Sequence, residues 1–409
     1  MKFSASSVRI ALNTALAVLV AVVSQAHCQK TWIVDAGGGG HYKTIQAAVN
    51  AASEGDTIYL KSAPFRESFT VSKGLHFRAA ANNGISGFAT ITNLSKTSTL
   101  TIKGMSTASL RFTNNAGAIH CEDLTFSTAS MPTVPPCKVS NCALISFQRC
   151  SRVVPQYALP VYGTQPPSID ISNSQVLLAE CRIQGANDIY QTTISLAGSP
   201  GIAAVSSTVR ISGGSVTGGN GTTKSPVPGI TNAWPGIQIS GGSLVIDDSE
   251  GKTFVAAGST PSSTLVQHAI VDSGAKITID PGVKLYSSNT SVHFKSTSPI
   301  VRILPGIVAS GAVSGGKVTT SRFGTPGSLS VLLLSLPRML LQTPFGEMWM
   351  DTSAILAIDP RILPASGSTT LHIPIPAQGI PNGVSLCFQS LELLKAQMTL
   401  SLPSVVLVN

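Results

Sequence analysis

The chain has 409 residues, of which only 11% are charged and 5% aromatic, and its formal net charge is +9. Lysines and arginines this dispersed, with so few aromatics, argue against a nucleic-acid partner. They leave a surface built from Ser, Thr, Asn and Gly that suits carbohydrate contact or plain solubility, and the basic excess favours polyanions such as acidic polysaccharide.

Residues 1–28 read as an export signal. Lys2 and Arg9 give a positive start, Ala11 to Val23 an apolar run, and Ser24-Gln25-Ala26 or Ala26-His27-Cys28 a small-residue cleavage site. Without Lys2 and Arg9 the net charge is +7, and the mature protein is expected outside the cell or on its surface. No membrane span is expected in the mature chain, since Val331 to Leu341 is short and broken by Pro337-Arg338. Seven cysteines in an exported chain permit disulfides. Cys137 and Cys142 could close a small loop. Cys150 and Cys181 share a register position, which leaves a bridge and a stack of core thiols equally open. The spacings contain no CxxC or close His pair, so no metal site is assigned.

Thr44 to Ala52 places Ile45, Ala48, Val49 and Ala52 at helical spacing, and Ser53-Glu54-Gly55-Asp56 ends that helix. Strands follow over Thr57 to Leu60 and Ser68 to Val71. Gly37 to Gly40 precedes no Lys-Ser/Thr pair and reads as a lead-in loop rather than a phosphate loop.

Four later segments repeat in register, starting at Pro167, Pro200, Pro235 and His268. Their first isoleucines are Ile169, Ile202, Ile237 and Ile270, at steps of 33, 35 and 33 residues. Each unit is a short alternating strand, a Ser/Gly/Asn corner and a second strand. One unit cannot bury its own apolar face; stacked units can, so the period predicts a solenoid of β coils capped by the helix. Counting five residues on from Ala118, Ile145, Val176, Val209, Leu244 and Ile277 places a repeated corner at Asp123, Cys150, Cys181, Gly214, Ser249 and Gly282. The solenoid domain is expected over 29–308 and a Gly/Ser/Thr-rich linker over 309–328. A small β-sandwich is expected over 329–409, where short strands lose the period.

Gly40, Tyr42, Thr44-Ile45-Gln46-Ala47-Ala48-Val49, Gly55-Asp56-Thr57-Ile58 and Lys61 to Glu67 resemble the opening of the pectin-lyase-like right-handed parallel β-helix superfamily. The wording is nearest the pectin methylesterases, with their TIQ-A-V helix, GDTI strand and G-x-Y-x-E turn. Ala63 and Phe65 stand where that turn has glycine and tyrosine. The likeness covers the cap and first coil and implies the fold more than an activity. Gly346 to Asp351, Leu371 to Pro376 and the closing strand resemble the C-terminal sandwich domains of secreted bacterial proteins, which implies packing or surface attachment.

Cys181 to Tyr190 is similar to the C-x-x-x-G-Y-Q-D-T-L-Y segment of pectin methylesterases. The resemblance implies Asn187 as an oxyanion donor and Asp188 as general acid/base. That family's nucleophilic aspartate lies one coil later in V-D-F-I-F-G; here Gly201 to Val216 has no carboxylate, and the L-G-R-P-W motif is missing. A lyase reading would instead hold Ca²⁺ at Asp247-Asp248-Ser249-Glu250 with Arg210 as base. If the isoleucines point inward, Asp170, Gln238, Arg210 and His120 point outward, as a flat ladder suited to a linear sugar chain. The expected function is an exported, non-catalytic, carbohydrate-associated β-helix protein with no cofactor. The alternative is a divergent polysaccharide-active enzyme, either an esterase of the pectin methylesterase kind or a uronan lyase.

Overall fold

A computed structural model describes residues 29–62, 64–80, 83–126, 136–153, 163–191, 194–221, 233–248, 251–259, 267–287, 293–295, 298–311, 315–375 and 384–408. The expected export signal, with Cys28, lies outside the described residues. Two compact units divide between Arg302 and Ile303. No helix among the described residues is long and apolar enough to cross a membrane.

The unit over 30–302 is a parallel β-helix with three sheets. Sheet I carries 69–71, 89–92, 109–113, 137–140, 169–172, 202–205, 237–240, 270–273 and 294–295. Sheet II carries 31–34, 57–60, 76–79, 99–103, 118–122, 144–148, 175–179, 208–212, 243–247, 276–279 and 300–301. Sheet III carries 84–85, 106–107, 125–126, 151–153, 181–184, 214–217, 254–256 and 284–286. The coils run from sheet I through a turn to sheet II and round a corner to sheet III; in the early coils sheet III continues into the next sheet I strand within Gly84–Thr92 and Ser106–Thr113, and in later coils more residues separate them. Successive rungs are about 4.8 Å apart.

Ile169 pairs with Ile202, Ile202 with Ile237 and Ile237 with Ile270, so the four repeats do pile into one inner column. All four are at most 1% exposed and belong to one apolar core that also takes Ile45, Ala48 and Val49 of the cap. Alternate residues point in, and each coil's apolar side chains close on those of the coils above and below.

From the second coil on, the turn from sheet I to sheet II opens with a residue of positive φ: Asn93, Asn114, Asn141, Asn173, Ser206, Gly241 and Gly274. Asparagine and glycine take that conformation most readily, so a one-residue bend recurs where those types recur. The corner from sheet II to sheet III bends likewise at Asp123, Arg149, Glu180 and Gly213. The sequence register differs here at three positions. Ala118 pairs with Leu144 rather than Ile145, so Arg149, not Cys150, is the equivalent of Asp123. Cys150 and Cys181 share a register position as expected, one residue past the bend, where both point into the core. The second difference is an insertion. Residues 213–214 span the corner in one coil, whereas 248–253 span it in the next. The position assigned to Ser249 therefore falls at Thr253, and since Phe254 pairs with Lys284 the position assigned to Gly282 falls at Val283.

The six described cysteines are buried free thiols, Cys137 and Cys142 among them. Burial raises the Cys121 and Cys150 thiols well above the usual range and lifts Cys137 to about 12. Arg152 departs from the apolar inner pattern. It pairs with Phe126 on one side and Ile183 on the other, both core residues, and is 1% exposed. Its guanidinium lies 5.0 Å from the Phe126 ring centroid, and burial pulls its pKa down to about 10.

The cap is the helix Ile45–Ala51, with Thr44 as N-cap. Glu67 Oε1 accepts from the Ile45 N–H at 2.6 Å and Oε2 from the Gln46 N–H at 3.3 Å. Its carboxylate thus satisfies two orphan donors at the positive helix end. Gln46 in turn exchanges two hydrogen bonds with the Thr70 backbone on the first rung of sheet I. Asp56 accepts from the Lys30 and Ser53 N–H groups and from the Trp32 indole, each at 2.9 Å. The residues that carry the family resemblance therefore fasten the cap.

In the other unit, Gly306–Ser310, Lys317–Phe323 and Ser368–Pro374 form one antiparallel sheet. Leu356–Ile362, Leu329–Ser335, Ser385–Leu394, Gln397–Leu400 and Ser404–Leu407 form a second. Both feed one apolar cluster that includes Val318, Ile373, Leu332 and Phe388. Residues 309–328 are therefore not a linker. Lys317–Phe323 alternates buried and outer positions and pairs on both sides, because its Val, Thr and Phe suit a pleated sheet whatever the flanking glycines suggest. Arg322 is fully buried there and holds the Ser330 and Asp359 carbonyls at 3.1 and 2.9 Å and the Asp359 carboxylate.

Candidate functional site

The residues singled out in the sequence do not converge. Asp170 and Gln238 lie on the outer face of sheet I, in a single column that runs Arg111, Lys138, Asp170, Ala203, Gln238. Gln238 is exposed and Asp170 half-buried. His120 and Arg210 also point away from the core, but on sheet II, and each is only 2% exposed. His120 Nδ1 is 2.7 Å from Ser146 Oγ, and burial pulls its pKa down to about 4. One rung pair away His76 repeats the arrangement, with Nδ1 2.9 Å from Thr101 Oγ1 and a pKa of about 4, again through burial. Arg210 donates to the Val209 carbonyl at 2.9 Å and to Ser243 Oγ at 3.1 Å. Glu122, further along the same face, pairs with Lys103 at 2.9 Å and with Arg149, which also reaches Asp123 at 2.8 Å. His120, Arg210 and Glu122 are thus held in buried polar contacts on the outer face of sheet II, and His120 and Arg210 are not available to a ligand there.

Asn187 and Asp188 sit in the loop that leaves sheet III. Asn187 Oδ1 accepts from the Asn220 N–H at 2.8 Å, and Asn220 Oδ1 accepts from the Ser259 N–H at 2.8 Å. Equivalent loop positions in three coils are stapled in this way. Asp188 is 5% exposed, and its Oδ1 accepts from the Gly198 N–H and, at 3.2 Å, from the Trp234 indole. Gly219 and Gly258 belong to the same stack, where a Cβ would fall within 2.0 Å of the Ala186 and Gly219 carbonyl oxygens respectively. These contacts hold neighbouring loops together. In the acidic stretch, Asp247 is fully buried, Asp248 caps the inserted corner through the Thr253 N–H at 2.9 Å, and Ser249 and Glu250 lie outside the described residues. No group of three or more His, Cys, Asp or Glu side chains among the described residues is placed to hold a metal ion.

The outer face of sheet III is open and chemically mixed. Arg182, Ser215, Phe254 and Lys284 form one column, and Gln184, Thr217, Ala256 and Tyr286 the next. A cavity of about 260 Å³ opens between Arg182, Gln184, Thr217, Asn220 and Phe254. Phe254 and Tyr286 meet edge to face with ring centroids 6.3 Å apart, and Tyr286 is 55% exposed. Arg182 and Lys284 are exposed, and among the described residues neither side chain has a hydrogen bond or ion pair. Three rungs separate them, roughly 14 Å. The face offers two rings, the amides and hydroxyls of Gln184, Ser215 and Thr217 on the rungs beside them, and a cation at each end of one column. Sequence reading missed it because the insertion at 248–253 displaces Phe254 from the period. The usable signal was Arg182 itself, one residue past a core cysteine and so outward. A second concavity, of about 670 Å³, lies along the turns between sheets I and II.

No family model matches the chain, and no curated protein matches it. Among solved structures it is similar to the enzymatically active domain of tailspike protein 2 of bacteriophage CBA120, at 12% identity and a TM-score of 0.36, over 90% of this chain and 73% of that one. A likeness this distant assigns the chain no activity.

Proposed function

We propose that the protein is an exported, non-catalytic β-helix that associates with carbohydrate through the outer face of sheet III. One observation carries the reading: Phe254 and Tyr286 stand beside an amide- and hydroxyl-lined cavity, on a face whose outer cations Arg182 and Lys284 have no partner among the described residues. Sugar rings present apolar faces to aromatic rings and hydroxyls to amides, and a carboxylate-bearing chain would also engage the cations. Two dispersed cations without a row of stacking rings suit a glycan better than a nucleic acid. The engagement of Asn187 and Asp188 in loop stapling supports the non-catalytic part. The resemblance of the first coil to the pectin-lyase-like superfamily, and the reading of residues 1–28 as an export signal, support export toward a polysaccharide-rich setting.

A glycan array probed with the wild type and with Phe254→Ala and Arg182→Ala tests the binding. The expected result is retention on a subset of polysaccharides that either substitution reduces about tenfold, roughly 1.4 kcal/mol. Retention on none of the array, or retention of both variants at the wild-type level, overturns it. Methanol release from pectin, or new unsaturated-product absorbance from uronans, would overturn the non-catalytic part.

A further inference from the structure

The concavity along the turns between sheets I and II differs from the sheet III face in its chemistry. It crosses four coils, and its lining includes Asn114, Asn141, Asn173, Ser206, Gln175 and Thr208, with no charged side chain. The asparagines form a ladder: Asn173 Nδ2 donates to Asn141 Oδ1 at 3.3 Å, and Asn141 Nδ2 to Asn114 Oδ1 at 3.0 Å. Each amide carries two donors and two acceptor lone pairs, so every rung keeps a hydrogen-bond site facing outward after the ladder is made. All three asparagines are exposed. Gln175 Oε1, also in the lining, is buried and has no hydrogen-bond partner among the described residues. A buried acceptor without a donor is an open demand for one.

The backbone is closed to a ligand. The Asn114, Asn141 and Asn173 N–H groups donate to the carbonyls of Ser140, Ser172 and Val205 in the next coil, at 3.0, 3.0 and 3.1 Å. An added peptide strand would find no free main-chain edge to pair with. An acidic chain would find no cation. What repeats at every rung is an uncharged side chain able both to donate and to accept, at about 4.8 Å intervals along the axis.

We infer that this groove binds an uncharged linear glycan laid parallel to the coil axis, each sugar step meeting an equivalent amide or hydroxyl. This goes beyond the sheet III reading and stands on separate residues. Isothermal titration with cellohexaose, mannohexaose and xylohexaose tests it, with hexagalacturonate as the charged comparison. The proteins are the wild type, Ala143→Trp to fill the groove floor, Asn141→Asp, which keeps the left-handed turn and puts a charge into the ladder, and Phe254→Ala/Tyr286→Ala. At least one neutral hexaose should bind the wild type more tightly than hexagalacturonate does at this site. Ala143→Trp and Asn141→Asp should each weaken it tenfold or more, and the double variant should leave it unchanged. If Ala143→Trp fails to fold, Asn141→Asp decides alone. Failure of all three neutral hexaoses to bind overturns the inference. Neutral binding that the double variant abolishes and the groove variants leave intact also overturns it, while leaving the sheet III reading standing.

Discussion

Sheets II and III are wound from the same coils, with the same alternation of inner and outer residues, yet their outer faces have opposite fates. On sheet II the outer positions hold His76, His120, Arg210 and Glu122, all at most 8% exposed and tied to neighbours. On sheet III they hold Arg182, Phe254, Lys284 and Tyr286, open or half-open, with two cations unengaged among the described residues. Register decides whether a side chain points at the core; it does not decide whether the outside is covered. Buried polar groups must be bonded and become structural, and exposed ones remain usable.

The largest expected effect tests what both faces share. Ile237→Ala, in the inner column, should cost about 2–5 kcal/mol in urea unfolding, while its outer neighbour Gln238→Ala should change stability by less than about 0.5 kcal/mol. Equal effects would mean the inner column is not the common core. Next is pH. His76 and His120 have pKa values near 4 in the folded protein against 6.5 for the free side chain. Between those values the unfolded chain binds more protons, so their contribution is fully present above about pH 7. It falls as pH drops through 6.5 toward 4, by at most on the order of 3 kcal/mol each. Denaturation midpoints that stay flat from pH 7 to pH 4 would show that the sheet II histidines are not buried.

The two faces can then be set against each other directly. His120→Ala should destabilise by about 1–3 kcal/mol, because it strips the partner from buried Ser146, whereas Tyr286→Ala should fall within about 0.5 kcal/mol. Reversed magnitudes would exchange the roles of the faces. The smallest effect concerns the cap: Glu67→Gln, which keeps the oxygen that accepts from Ile45 N–H but removes the charge and the longer bond from Gln46 N–H, should cost about 0.5–1 kcal/mol, less at high salt. A larger loss would mean that the cap depends on more than the helix-end charge and that bond.

Much of the solenoid was legible because a β coil repeats itself. Ile169, Ile202, Ile237 and Ile270 fall into column on spacing alone, and Thr44 to Ala52 declares a helix by its period. Three things were not legible. A corner can absorb extra residues without breaking the stack, so 248–253 hid Phe254. A strand rich in Thr and Val can sit among glycines, so Lys317–Phe323 passed for linker. An arginine can occupy an inner position when its neighbours accommodate it, so Arg152 broke the apolar rule without breaking the coil. The candidate site was less legible than the fold. His120 and Arg210 were placed on the right side of their strands, but nothing in the chain order says that sheet II is covered and sheet III is not.

Hydroxyl-radical footprinting with and without a retained polysaccharide tests the assignment of function to the open face most directly. Oxidation of Phe254 and Tyr286 should fall together when the polysaccharide is bound, while exposed Met398 in the other unit stays equally reactive. Both rings oxidising at the same rate under saturating polysaccharide would contradict it.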